Sequence, residues 1–167
     1  NWVQRMILGR LKTYREVQPV RRNDPEGGVG YNIRFFTSSV ELGRKIAAAL
    51  NAEGIGCGQF LWPAECAIRG PDAPPDWHVY RYMFPLILQG APTETLCPFE
   101  CPVYRERGGQ INYRPDDCPT AADLFDRNIM IWLESWYNDE DCQAIAAGIN
   151  KVLDAYCTED PSAPGWV

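Results

Sequence analysis

Residues 113–133 read YRPDDCPTAADLFDRNIMIWL. Two patterns meet in this string. Pro119 primes a short helix in which Thr120 serves as cap, with Asp123 three residues on and Leu124 and Phe125 facing inward. Ile129 to Leu133 is an apolar run too short for a helix and right for a strand buried from both sides. Beyond it, Asn138 reads as the cap of a last helix whose first turn, Asp139-Glu140-Asp141, is acidic, as the helix dipole favours. Cys142, Ile145, Ile149, Val152 or Leu153, and Tyr156 give that helix its core stripe. Helix, strand and helix in such close order make a compact unit, and the rest of the chain must cover it.

Upstream, Val3, Ile7, Leu11 and Tyr14 share a helical face. A helix amphipathic from its first residue fits a chain cut from something longer. It equally fits a mature protein whose N-terminal helix docks. Pro19 ends that helical region, and Asp24-Pro25-Glu26-Gly27-Gly28 is turn chemistry within a connection over residues 21–30. Val29 to Phe36 alternates as a half-buried strand, with Tyr31, Ile33 and Phe35 on one face and Asn32 and Arg34 on the other. Ser38-Ser39-Val40-Glu41 reads as a capping box, Leu42, Ile46, Ala49 and Leu50 continue the helix, and Gly54 stops it. Ile55 to Leu61 reads as a second strand. From Trp62 to Tyr113 prolines break the pattern, and only His78 to Leu88 looks ordered, as a turn or short helix around Met83, Leu86 and Ile87. A connection this long without structure of its own is usually functional or laid over a neighbouring surface.

The resulting fold class is α+β, a small, mainly antiparallel sheet with helices packed on one face. It forms one domain over residues 1–157, with an irregular segment at 62–113 and a loose tail at 158–167. A length of 167 residues, with 46% hydrophobic and 23% charged residues, suits one domain with a real core. A net charge of −6 argues against nucleic acid as partner. No apolar run approaches a membrane span, and no signal-peptide pattern opens the chain. Seven scattered cysteines, an odd number, fit free thiols in a reducing cytoplasm.

Self-contained catalytic signatures are missing. The single histidine, His78, lies in Trp77-His78-Val79-Tyr80-Arg81. That cluster reads first as a loop anchor and second as a substrate-facing group. Cys97 and Cys101 have permissible zinc spacing but no second pair, so no metal site is expected. A cysteine-dependent enzyme using either thiol is the weakest reading. Asp116-Asp117 lacks calcium-loop spacing. Gly27-Gly28-Val29-Gly30 precedes a strand instead of following one into a helix, so it is no phosphate loop.

Six segments in one order carry a family resemblance: Asn23 to Gly30, Ala48 to Ile55, His78-Val79-Tyr80, Tyr113 to Pro119, Arg127-Asn128-Ile129, and the helix from Asp139 to Val152. Together they resemble the C-terminal small domain of the DegT/DnrJ/StrS aminotransferases, pyridoxal-phosphate enzymes that aminate keto-sugars, cyclitols and related metabolites. The resemblance implies the small-domain fold of fold-type-I aminotransferases, a dimeric or heteromeric assembly, and a separate large domain or subunit carrying pyridoxal phosphate. It also implies that His78, Tyr80 and Arg81 stand near the active-site mouth. Arg114 and Arg127 are further candidates for a substrate carboxylate or phosphate, with a helix-terminal or surface ion pair as the commoner role. Lys12, Lys45 and Lys151 are the only lysines. Each reads as solvent-facing on a helix, and none has the context of the family's cofactor lysine. This chain alone is therefore not expected to bind the cofactor productively or transaminate. A fragment, a split subunit, and a stand-alone binding module that keeps the fold without the chemistry all remain consistent with the residues.

Overall fold

The apolar run at Ile129 forms an inner strand, and the rest of the sheet is built around it. The computed structural model describes residues 2–24, 26–59, 80, 83, 89, 97, 99–114 and 116–166. In chain order the elements are α1 (Trp2–Leu8), β1 (Val17–Pro19), β2 (Asn32–Thr37), α2 (Val40–Ala52), β3 (Cys57–Gln59), α3 (Pro102–Glu106), α4 (Pro119–Arg127), β4 (Asn128–Trp132) and α5 (Asp139–Tyr156). The four strands pair antiparallel in the order β1-β2-β4-β3. The chain divides into two compact units, residues 1–60 with 124–167, and residues 61–123.

Register explains the core of the first unit. Ile33 lies opposite Ile131 and Phe35 opposite Ile129, so these four side chains share one face. All four are buried, at about 1.5–3 kcal/mol apiece relative to exposure. Against them pack Ile7 and Leu8 of α1, Ile46 and Leu50 of α2, and Cys142, Ala146, Ile149 and Leu153 of α5. This is the α+β arrangement read from the sequence, with helices on one face. The other face carries Arg34 opposite Met130 and Asn32 opposite Trp132. Ile129, Met130, Ile131 and Leu133 are all buried, whereas Trp132 is 53% exposed.

Several boundaries move. Helix α1 stops at Leu8, well short of Tyr14, because Gly9 is a weak helix former and the last turn tightens into three-residue bonds from Arg10 to Ile7 and Leu11 to Leu8. The connector then lies along α5. Lys12 N–H donates to Asn150 Oδ1 at 3.0 Å, and Asn150 Nδ2 donates back to the Arg10 carbonyl at 2.9 Å. Lys12 thus lies off any helix. Pro19 sits in β1, an edge strand where its missing N–H costs no ladder bond. Strand β2 begins at Asn32, leaving Tyr31 half exposed.

The cap of α2 is Ser39, whose side chain accepts from Leu42 N–H. That is one residue later than the capping-box reading needs, so Leu42 occupies the position where Glu41 would have reached back. At the other end Gly54 (φ +82°) allows a double closure, Gly54 N–H to Asn51 O and Ile55 N–H to Leu50 O. In α4, Pro119 is the first helical residue, Leu124 is exposed, and Ala122 is the buried position. Helix α3, unforeseen in the proline-rich segment, uses Pro102 at its first position. The ordered stretch expected around Leu86 and Ile87 lies outside the described residues. At α5 the capping box is complete, with Asn138 and Asp141 each accepting the other's backbone N–H. Its buried stripe includes Ala146, while Tyr156 is 44% exposed.

The tail, read as loose from its proline and glycine content, is docked. Arg15 N–H donates to Thr158 O and Asp160 N–H to Thr13 O. Thr158 N–H donates to Glu16 at 2.8 Å. Trp166 is buried, edge-on to Phe35 with ring centres 5.5 Å apart. One large aromatic outweighs the local turn residues around it.

Candidate functional site

The loop from Asn23 to Gly30 is shaped by its own side chains. Asp24 Oδ1 accepts from Glu26 N–H at 2.9 Å, which closes an Asx turn. Gly30 (φ +75°) occupies the left-handed region as the chain turns into β2. Outside the loop, Arg5 holds Glu26 at 2.6 Å.

This loop walls a cavity of about 310 Å³ in the first unit. Leu8, Ile33 and Trp166 are among its apolar lining residues, and Arg22, Asn23, Asp24 and Arg34 among its polar ones. Gln4 also lines it and donates through Nε2 to the Asn32 carbonyl. Val20 N–H donates to the Arg34 carbonyl at 3.2 Å, tying the chain just before Arg22 to the strand that carries Arg34. Burial pulls the Arg22 guanidinium below its ordinary pKa, and Arg5 adds to the same direction. A second opening of about 200 Å³ shares Val29, Gly30 and Tyr31 and adds Trp2, Leu133 and Glu134. Tyr31, which lines it, forms a tilted pair with Trp132, ring centres 5.9 Å apart.

In the second unit a cavity of about 420 Å³ is lined by Phe99, Tyr104, Arg105 and residues 109–112. Arg105 is engaged by Glu100 at 2.8 Å.

The residues singled out from sequence separate. His78 and Arg81 lie outside the described residues. Tyr80, in the second unit, accepts at its hydroxyl from Cys118 N–H at 3.0 Å, just ahead of α4. Arg114 is exposed, and its backbone closes a turn with Asp117: Arg114 N–H donates to Asp117 Oδ2 and Asp117 N–H to Arg114 O. In the first unit, Arg127 Nη1 donates to the Thr37 carbonyl at 2.7 Å, and Thr37 Oγ1 donates to Ser39 O at 2.8 Å. Arg127 thus ties the end of β2 to the start of β4, and it does not line the 310 Å³ cavity. Arg22 and Arg34, which do, were not singled out. Their signal was the Arg21-Arg22 pair in an acidic chain, immediately before the glycine-bearing loop.

Cys97 is exposed, and Cys101 precedes α3 without a side-chain cap bond. Among the described residues, no group of three or more His, Cys, Asp or Glu is placed to hold a metal ion. No described helix is long and apolar enough to cross a membrane. Against known protein-family models the chain matches none, and no curated protein matches it.

Proposed function

We propose that this chain is the small domain of a DegT-type aminotransferase, working with a large domain or subunit that carries pyridoxal phosphate. The observation that carries the reading is the set of six segments in family order along nearly the whole chain. An antiparallel sheet with helices on one face is compatible with it. So is the exposure of Trp2, Tyr31, Trp132 and Trp136, residue types that commonly anchor protein interfaces.

The chain's own lysines do not fit the cofactor. A Schiff-base lysine must be uncharged to attack a carbonyl. Lys12 goes the other way: hydrogen bonds to Glu159 and then Asp154 hold its ammonium above the ordinary lysine range. Lys151 is held by Glu53 at 2.8 Å, and Lys45 is exposed on α2. The cofactor and the group that binds it covalently therefore belong to the partner. In this reading the small domain closes over the substrate, a keto-sugar, cyclitol or related metabolite, and supplies specificity contacts and part of the dimer surface.

The test is reconstitution. Mixed with a large half of the same enzyme class and pyridoxal phosphate, the chain should co-migrate with it and restore amino transfer. Alone with the cofactor it should give no aldimine absorbance band. A band and turnover from this polypeptide by itself would overturn the proposal, as would failure to associate. A stable, solitary monomer would favour a non-catalytic binding module.

A further inference from the structure

We infer that the opening of about 200 Å³ lined by Trp2, Tyr31 and Glu134 is a cation site, taking the methylated ammonium group of a small free metabolite. All of its lining residues belong to the first unit. Two aromatic side chains and a carboxylate share this one opening, and neither a lysine nor an arginine is among its lining residues. Trp2 and Tyr31 are each about half exposed, so their rings are open to a ligand. Trp132, also half exposed, extends the aromatic surface through its pairing with Tyr31. Single exposed aromatics are ordinary on a protein surface, whereas a contiguous group around an opening marks a binding surface.

Charge selects the occupant. The face of an indole or phenol ring is negative and attracts a cation, most strongly where water is partly excluded. Glu134 is part-buried, and among the described residues no hydrogen bond or ion pair engages its carboxylate. A carboxylate drawn part-way out of water favours a cation beside it. Arg5, on the same helix as Trp2, is engaged by Glu26 and does not line the opening. Val3 and Leu133, both buried, give the lining an apolar part that suits methyl groups better than a bare, strongly hydrated ammonium. The volume lies below the range of cavities that enclose whole metabolites, which fits a headgroup. The net charge of −6 also favours a cationic ligand over an anionic one. The inference stands independently of the aminotransferase reading, since it needs neither cofactor nor partner.

The test titrates the whole chain with choline chloride and, separately, with 3,3-dimethylbutan-1-ol, its uncharged isostere, at constant ionic strength. Backbone amide and indole NMR signals report binding. Choline should give saturable shifts at the Trp2 indole and at the amides of Gly30, Tyr31, Glu134 and Ser135, and the isostere should bind at least about fivefold more weakly. Glu134→Gln should weaken choline binding about fivefold. Tyr31→Leu should weaken it about fivefold, whereas Tyr31→Phe keeps the ring and should bind like the native chain. Trp136→Leu, at an exposed aromatic outside this lining, should also bind normally. Absence of saturable shifts at the opening would overturn the inference. So would an isostere that binds as tightly as choline, since the opening would then be merely apolar, or a Trp136→Leu variant as impaired as Tyr31→Leu. Co-sedimentation with phosphatidylcholine vesicles should fail, and a chain that pellets with them would overturn the assignment to a free metabolite.

Discussion

The indole Nε1–H of Trp166 donates to the carbonyl oxygen of Lys12 at 2.8 Å, closing a loop over almost the whole chain. It anchors the tail to the connector after α1, with Phe35 of the central sheet beneath the ring. Trp166→Ala should therefore cost about 3–5 kcal/mol, typical of deleting a buried indole. Trp166→Phe keeps the ring and loses the N–H, and should cost about 1 kcal/mol. Urea denaturation measures both. Amide exchange at Thr158 and Asp160 should accelerate in the alanine variant, and an unchanged midpoint would show that the tail adds nothing.

Acid should loosen the same tail. Asp154 is held below the ordinary carboxylate range by hydrogen bonds from Lys12 first and Tyr14 second, and Glu16 by the Thr158 amide. Asp160 is lowered by Ser162. A carboxyl whose folded pKa is depressed contributes stability above its unfolded pKa and loses it as pH falls through the folded one. The melting temperature should thus hold above about pH 5 and decline below about pH 4. Asp154→Asn should flatten part of that decline. Tyr14 has the opposite sense: burial and then Asp154 raise its pKa, so its contribution is full below about pH 10 and fades above.

Gly148 and Ile55 should prove coupled. A Cβ built on Gly148 would stand 2.7 Å from Ile55 Cδ1 and 3.8 Å from Cγ1. Gly148→Ala gains up to about 1 kcal/mol of helix propensity and meets an overpacking cost of about 1–3 kcal/mol. The substitution alone should be mildly destabilising. In an Ile55→Val background, which removes Cδ1, it should become stabilising by up to about 1 kcal/mol. A double-mutant cycle reads the difference, and simple additivity would mean that the contact is relieved elsewhere.

The thiols should separate by reactivity. Burial raises Cys57 to about 11, and burial with Glu16 raises Cys157 to about 11. Cys97 and Cys118 are exposed. At neutral pH, iodoacetamide followed by mass spectrometry should find Cys97 and Cys118 modified more than tenfold faster, because the thiolate is the nucleophile. Equal rates would contradict the burial of Cys57 and Cys157.

What could be read in advance followed periodicity. Ile129 to Ile131 declared an inner strand, and Asn138 with three acids declared a helix start, because burial on both faces and capping are local signals. Tail docking was not legible. Thr158 to Trp166 has loop composition, and what orders it is the distant backbone of Thr13 and Arg15 and the ring of Phe35. Pro102 misled for a related reason, since proline breaks a helix interior yet suits a helix start. The candidate cavity draws on α1, the 20–34 region and residue 166, a set that only the folded sheet assembles. Arg127, read for its charge, serves through its reach to the Thr37 carbonyl.

The strand order has a consequence for how the protein comes off the ribosome. Strands β2 and β3 are not neighbours; β4 lies between them, and in sequence residues 61–123 separate β3 from β4. During synthesis the inner edge of β2 stays unpaired, and Ile33 and Phe35 stay without their partners, until residues 128–132 emerge. A sheet closed by so late a strand folds slowly and is open to mispairing in the interval. Truncations ending before Asn128 should therefore be sticky, aggregating species, whatever helices they contain.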